Sequence, residues 1–182
     1  LAAGQPCEGE LVLPDAPGPL DLSGLDLTGR NLAGINFQRV DLRGARFADA
    51  DLTKAVFVEC RLDGASFRGA QMADAGCAAP DAAVDLTGVR GAGLSMSQGR
   101  FRELDLSSAE ITGGLWADAE VGRLRGSGLV ADEWFLTSCR FDEAAELAGA
   151  SLQKAIWAGC TFHRLDLSGA NLTKINADEL EV

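Results

Sequence analysis

The sequence predicts a solenoid, a fold in which one short unit recurs along the chain and stacks on itself. Two observations predict it. Over residues 40–69, VDLRGARFADADLTKAVFVECRLDGASFRG, every fifth residue is large and apolar: Leu42, Phe47, Leu52, Phe57, Leu62 and Phe67. Two residues before each stands a smaller apolar one: Val40, Ala45, Ala50, Ala55, Cys60 and Ala65. A period of five matches neither the 3.6 of a helix nor the 2 of a strand. It is therefore read as a repeat before any element is assigned.

The blocks LDLTG (25–29), ADLTK (50–54), LDLSG (165–169) and ANLTK (170–174) carry the same unit at both ends of the chain. The sequence resembles the pentapeptide-repeat family, whose consensus is A-(D/N)-L-x-x. That resemblance implies an all-β fold, a right-handed quadrilateral β-helix with four pentapeptides per coil. The central residue and the one two before it would point inward, and the other three outward.

Taken in order, residues 1–19 lack the repeat and contain Pro6, Pro14, Pro17 and Pro19. The short apolar run Leu11-Val12-Leu13 suits a segment lying over the open first coil, so 1–19 is read as an N-terminal cap. The repeat domain is assigned to 20–179, with a tail at 180–182. Register is unbroken from Leu20 to Cys77. It then slips, because the next clear centre, Leu86, is nine residues on: either two repeats less one residue, or one repeat with four inserted. A second slip separates Phe141 from Leu152, read as two repeats plus one residue. With the economical choices there are 32 pentapeptides, or eight coils, a rod of about 38 Å at ~4.8 Å per coil. The weak centres Ala82, Gly91, Gly126 and Ala131 are expected to mark looser coils, with a loop near 78–84.

Residues about twenty apart then stack, and each wall of the rod can be read as a column. The first is Asp21, Asp41, Arg61, Asp81, Arg100, Glu120, Arg140 and Thr161; the second is Asp26, Arg46, Ser66, Asp85, Asp105, Arg125, Glu146 and Asp166. Stacked like charges repel, so acid–arginine neighbours are expected. The third, from Asn31 to Asn171, is polar apart from Val130. The fourth differs: Asn36, Val56, Gly76, Ser95, Leu115, Phe135, Ile156 and Asn176. All three tryptophans fall at inward positions of this wall, and Phe135 is the one aromatic residue placed outside. Val56, Val58, Leu115, Ala117, Phe135, Ile156 and Ala158 are the candidate partner-binding residues. A patch of several hundred Å2 of this kind usually meets a partner.

Nothing in the sequence assembles catalytic chemistry. His163 is the only histidine and sits at an outward position, so no histidine-based metal site or Ser–His or Cys–His nucleophile is expected. The carboxylates follow the repeat, and most glycines occupy corners. The reading is no enzyme, no catalytic residues, no metal and no cofactor. Of five cysteines, Cys139 and Cys160 should stack in consecutive coils, within disulfide range but expected as thiols. A Cys7–Cys77 disulfide that ties down the cap is a further possibility if the chain is exported.

A net charge of −11 and a pI near 4.5 disfavour direct binding to nucleic acid. No apolar run is long enough for a transmembrane segment. The opening LAAGQPCEGELVLPDAPGP reads as a mature exported N-terminus, so a periplasmic or otherwise exported location is expected, with the cytoplasm as alternative. Two functional readings follow. One is a non-catalytic interaction subunit docking on a protein partner in a larger assembly through the fourth wall. The other comes from the resemblance: some pentapeptide-repeat proteins mimic duplex DNA and bind DNA gyrase. The alternation of acids with Arg46, Arg61, Arg100, Arg125 and Arg140 interrupts any long acidic stripe and counts against it.

Overall fold

A computed structural model describes residues 19–78, 82–179 and 181. The cap segment and Cys7 lie outside the described residues. Every described element is a short β-strand, and all paired strands are parallel. They stack as eight coils. The fourth wall is one sheet of eight three-residue strands, running in space in chain order from Asn36–Gln38 to Asn176–Asp178. The third wall is a ladder of single bridges from Asn31↔Asp51 to Ser151↔Asn171.

The pentapeptide folds this way for local reasons. At many centres an Asp or Asn just before the centre accepts a hydrogen bond from the backbone N–H two residues after itself. Examples are Asp26 Oδ1 from Thr28 N at 3.1 Å and Asp85 Oδ1 from Thr87 N at 2.9 Å. This closes the corner, which explains Asp or Asn at that position. Two residues past each such centre the backbone is left-handed. Glycine fills many of these places, as at Gly24 with φ of 67°. The exceptions fall mostly at the exits from the fourth and third walls: Arg39, Glu59, Gln98, Asp118 and Ser138 leave the fourth with φ of 52–54°, and Lys54, Asp74 and Lys154 leave the third with φ of 54–59°.

Inward residues make one continuous core, in which ten of the eleven aromatic side chains are buried. Phenylalanines of successive coils stack, with ring centroids 4.8 Å apart for Phe47–Phe67 and 4.5 Å for Phe141–Phe162. Both phase slips resolve as the economical reading expects. Ala82 is buried and pairs with Phe101 as a true centre. The extra residue of the second slip is absorbed as a bulge between Phe141 and Ala144, and Leu147 is the buried centre that follows.

Three expectations are corrected. The glycine centres are not loose. A Cβ at Gly126 would lie 2.7 Å from Leu147 Cδ2, and one at Gly91 would lie 3.0 Å from Leu94 Cβ. Neighbouring leucines already occupy that volume. Residues 76–78 and 82–85 are strands, so any loop is confined to 79–81, outside the described residues. Inward positions of the end coils are incompletely covered: Leu25 is 39% exposed, and Leu165, Leu167, Leu172 and Ile175 are half-buried. An end coil has a neighbour on one side only. At the far end Glu181 bridges Thr161, so the ladder runs into the segment read as a tail.

In coils five to seven the corner between the first two walls straightens into single strands, Arg100–Asp105, Glu120–Arg125 and Arg140–Glu146. The coils approach so closely there that a Cβ on Gly122 would sit 2.5 Å from the Arg102 carbonyl oxygen. Only glycine fits.

Candidate interaction surface

Charge on the first and second walls is arranged as acid–arginine rungs. Arg46 reaches Asp26 at 2.7 Å, Arg100 reaches Glu120 at 2.6 Å, and Arg140 bridges Asp142 at 2.8 Å and Glu120 at 3.8 Å. Arg125 pairs with Glu103, and Arg102 with Asp63. Asp41 is buried and held by Arg43 at 2.7 Å, with Arg61 at 3.8 Å. Asp26, Asp41, Asp63 and Glu120 are held below the ordinary carboxyl range. The Thr28 hydroxyl and N–H take Asp26 down to about 2, and Arg43 lowers Asp41. Arg100 lowers Glu120, and the Ser168 side chain and N–H lower Asp166.

The sign of the pH dependence follows. A carboxyl lowered on folding stabilises above its unfolded value near 4 and loses that contribution as pH falls through its folded value. The thermal midpoint is expected to be flat above about pH 5 and to fall between about pH 4 and 2. Melting curves across that range check this; a midpoint unchanged at pH 2.5 would refute it.

The fourth wall has the opposite character. From Asn36 to Ala158 none of the outward residues of its first seven strands is charged; the eighth ends in Asp178. The sequence reading singled out the apolar residues here but missed that the outward residues of seven successive strands are all uncharged. Both outward columns must be laid side by side to see it. Leu115, Phe135 and Ile156 sit on consecutive rungs in register. Leu115 is 50% exposed, Phe135 42% and Val56 38%, while Val58, Ala117, Ile156 and Ala158 are half-buried. Leu115, Ala117, Phe135, Ile156 and Ala158 are brought together. Val56 and Val58 lie farther along the same wall, beyond the rungs of Gly76 and Ser95. An exposed Val130 lies on the third wall. Behind the patch the three tryptophans are buried, with Trp116 and Trp134 edge to face at 4.8 Å. The strands carrying Leu115, Phe135 and Ile156 are thus backed by rigid, close-packed rings.

A shallow groove of about 370 Å3 lies instead on the first wall, lined by Arg140, Phe141, Asp142, Thr161, His163 and Glu181. Its arginine is engaged with Asp142 and Glu120, and its histidine is exposed. Among the described residues no group of three or more His, Cys, Asp or Glu side chains is placed to hold a metal. Among the described residues no helix is long and apolar enough to cross a membrane. Cys60, Cys77, Cys139 and Cys160 are buried free thiols; burial pushes Cys77 up to about 12.

The repeat pattern, the coil geometry and a direct family match converge. The family described as pentapeptide repeats matches in eight copies, over residues 21–57, 45–75 and 145–178. The chain is a pentapeptide-repeat protein. Among solved structures this pentapeptide-repeat chain is similar to full-length QnrB1, described as a plasmid-mediated fluoroquinolone resistance protein. The TM-score is 0.76 at 18% identity, covering 90% of this chain and 84% of that one. A trypsin-treated variant of QnrB1 gives 0.69 at 19% identity, over 90% and 82% of the two chains. At such identity the likeness concerns the fold of the pentapeptide-repeat rod. No curated protein matches the sequence.

Proposed function

We propose that the protein is a non-catalytic interaction subunit that binds a protein partner within a larger assembly through its fourth wall. The observation that carries this reading is the contrast between that wall and the rest of the rod. In a chain of net charge −11, seven consecutive strands present no outward charge, and three of them present Leu115, Phe135 and Ile156 in line. Covering a few hundred Å2 of such surface is worth roughly 5–10 kcal/mol before the cost of association. That is enough to anchor an interface whose rim supplies specificity. Neither nucleic acid, a metal nor a cofactor has a place in this reading.

The alternative is a DNA mimic that modulates DNA gyrase. The resemblance in overall shape to QnrB1, a fluoroquinolone resistance protein, favours it. The acid–arginine rungs weigh against it, because they neutralise the walls on which a phosphate-like stripe would have to run.

Affinity capture of the native protein from fractionated cells, followed by mass spectrometry, tests both. A stoichiometric envelope or periplasmic partner is the result expected. Recovery of gyrase from the cytoplasm, with inhibition or drug protection in a supercoiling assay, would overturn the subunit reading in favour of the mimic.

A further inference from the structure

Among the described cysteines one pair stands apart. Cys139 and Cys160 occupy the same inward position of coils seven and eight, one residue before the in-register pair Arg140↔Thr161. Thr161 N donates to the Cys139 carbonyl at 3.0 Å, which fixes the two rungs against each other. The next residue pair, Phe141 and Phe162, stacks with ring planes 2° apart. In-register neighbours of a ladder lie about 4.8 Å apart at Cα, inside the range of about 4.4–6.8 Å that a disulfide spans. Cys60 and Cys77 have no such companion: Val40 stands one coil before Cys60, and Phe57 and Met96 flank Cys77.

We infer that Cys139 and Cys160 form a dithiol that a small-molecule disulfide oxidises to an intercoil disulfide, stapling the last two coils. The Cys160 sulfur attacks the oxidant RSSR, forms a mixed disulfide and releases one RSH. Cys139 then attacks the bound sulfur of Cys160, closes the protein disulfide and releases the second RSH. Two protons and two electrons pass from the protein thiols to the two RSH molecules. Each thiol donates to a backbone carbonyl, Cys139 to Thr137 at 3.5 Å and Cys160 to Ala158 at 3.6 Å. The interaction between the two groups lowers the Cys160 thiol and raises Cys139, so Cys160 is the better nucleophile.

Both thiols are buried in the closed rod, so access comes by opening of the end. The rest of Cys160's own coil is incompletely covered: Leu165, Leu167, Leu172 and Ile175 are only half-buried. Low local burial is where sub-global opening occurs. The staple would stiffen the end of the rod next to Ile156.

The test treats the reduced full-length protein with oxidised glutathione, blocks the remaining thiols under denaturing conditions and maps peptides by mass spectrometry. The expected result is loss of two of the five thiols and a single linked pair containing Cys139 and Cys160. The thermal midpoint should rise by several degrees and return on reduction. Cys139→Ala is expected to leave a stable glutathione adduct on Cys160; alanine fits, since Ala119 occupies the same column one coil earlier. Five blocked thiols, a lasting glutathione adduct on the wild-type protein, or a link made through Cys7 would each overturn the inference.

Discussion

Phe135→Asp combined with Ile156→Asp is expected to abolish partner capture, weakening binding at least about 100-fold, while the rod keeps its melting profile. Both side chains stand on the outer face of the fourth wall, so water hydrates the new carboxylates in the free protein. At an interface the same groups would be stripped of water without a partner charge. Leaving an ionised group buried and unpaired costs several kcal/mol, and each 1.4 kcal/mol is a factor of ten. Quantitative capture of the partner beside a circular-dichroism melt reads both halves. Undiminished capture would move the site off this wall. A collapsed melt would mean that these side chains belong to the core; Phe135→Ala with Ile156→Ala then separates loss of apolar contact from loss of fold.

Trp134→Ala should be among the most damaging single changes to stability, at about 3–5 kcal/mol. Trp134 is fully buried between Trp116 and Trp157, at centroid distances of 4.8 and 6.5 Å and nearly perpendicular to both. Its loss leaves a cavity that two stacked coils cannot close, because hydrogen bonds along the walls fix their spacing. Trp134→Phe should cost much less than truncation. The indole N–H of Trp134 has no hydrogen-bond partner, so replacing it removes a buried unsatisfied donor and offsets part of the lost packing. Urea titrations of the two variants check the order. Equal losses would mean that the indole N–H is satisfied in solution.

The two predictions meet at the same place in the rod. Trp116, Trp134 and Trp157 fill the core behind the strands that carry Leu115, Phe135 and Ile156 outward. A softened core should therefore blur the surface as well as lower the midpoint.

Much of this was legible in the sequence because the repeat removes the usual difficulty of long-range pairing. Once a period of five and four units per coil are accepted, residue n lies beside residue n+20, or n+21 across the second slip, and Leu115, Phe135 and Ile156 fall on one column without a structure. Charge pairing was legible for the same reason: Arg46 opposite Asp26 and Arg100 opposite Glu120 are neighbours by count alone. The glycines were not legible. Gly24 has open space where a Cβ would stand, whereas Gly122 faces a carbonyl at 2.5 Å. Both are simply Gly in the sequence. Gly126 misled in the other direction, since an apparently empty centre is filled by Leu147 from the next coil.

The sequence by itself therefore determined the repeat, the phase of its inward and outward positions, and the apolar rungs of the fourth wall. Only the tertiary structure decided how the phase slips are absorbed, which corners straighten, and how closely neighbouring coils approach at Gly122. It also decided that Cys139 and Cys160 stand one residue before an in-register pair, Arg140 and Thr161, of consecutive coils. The physical reason is the division of labour in a solenoid. Period and burial are set within each pentapeptide, by one apolar centre and one Asx corner. Coil-to-coil spacing and side-chain contact are set by how neighbouring coils share volume, which no single repeat contains.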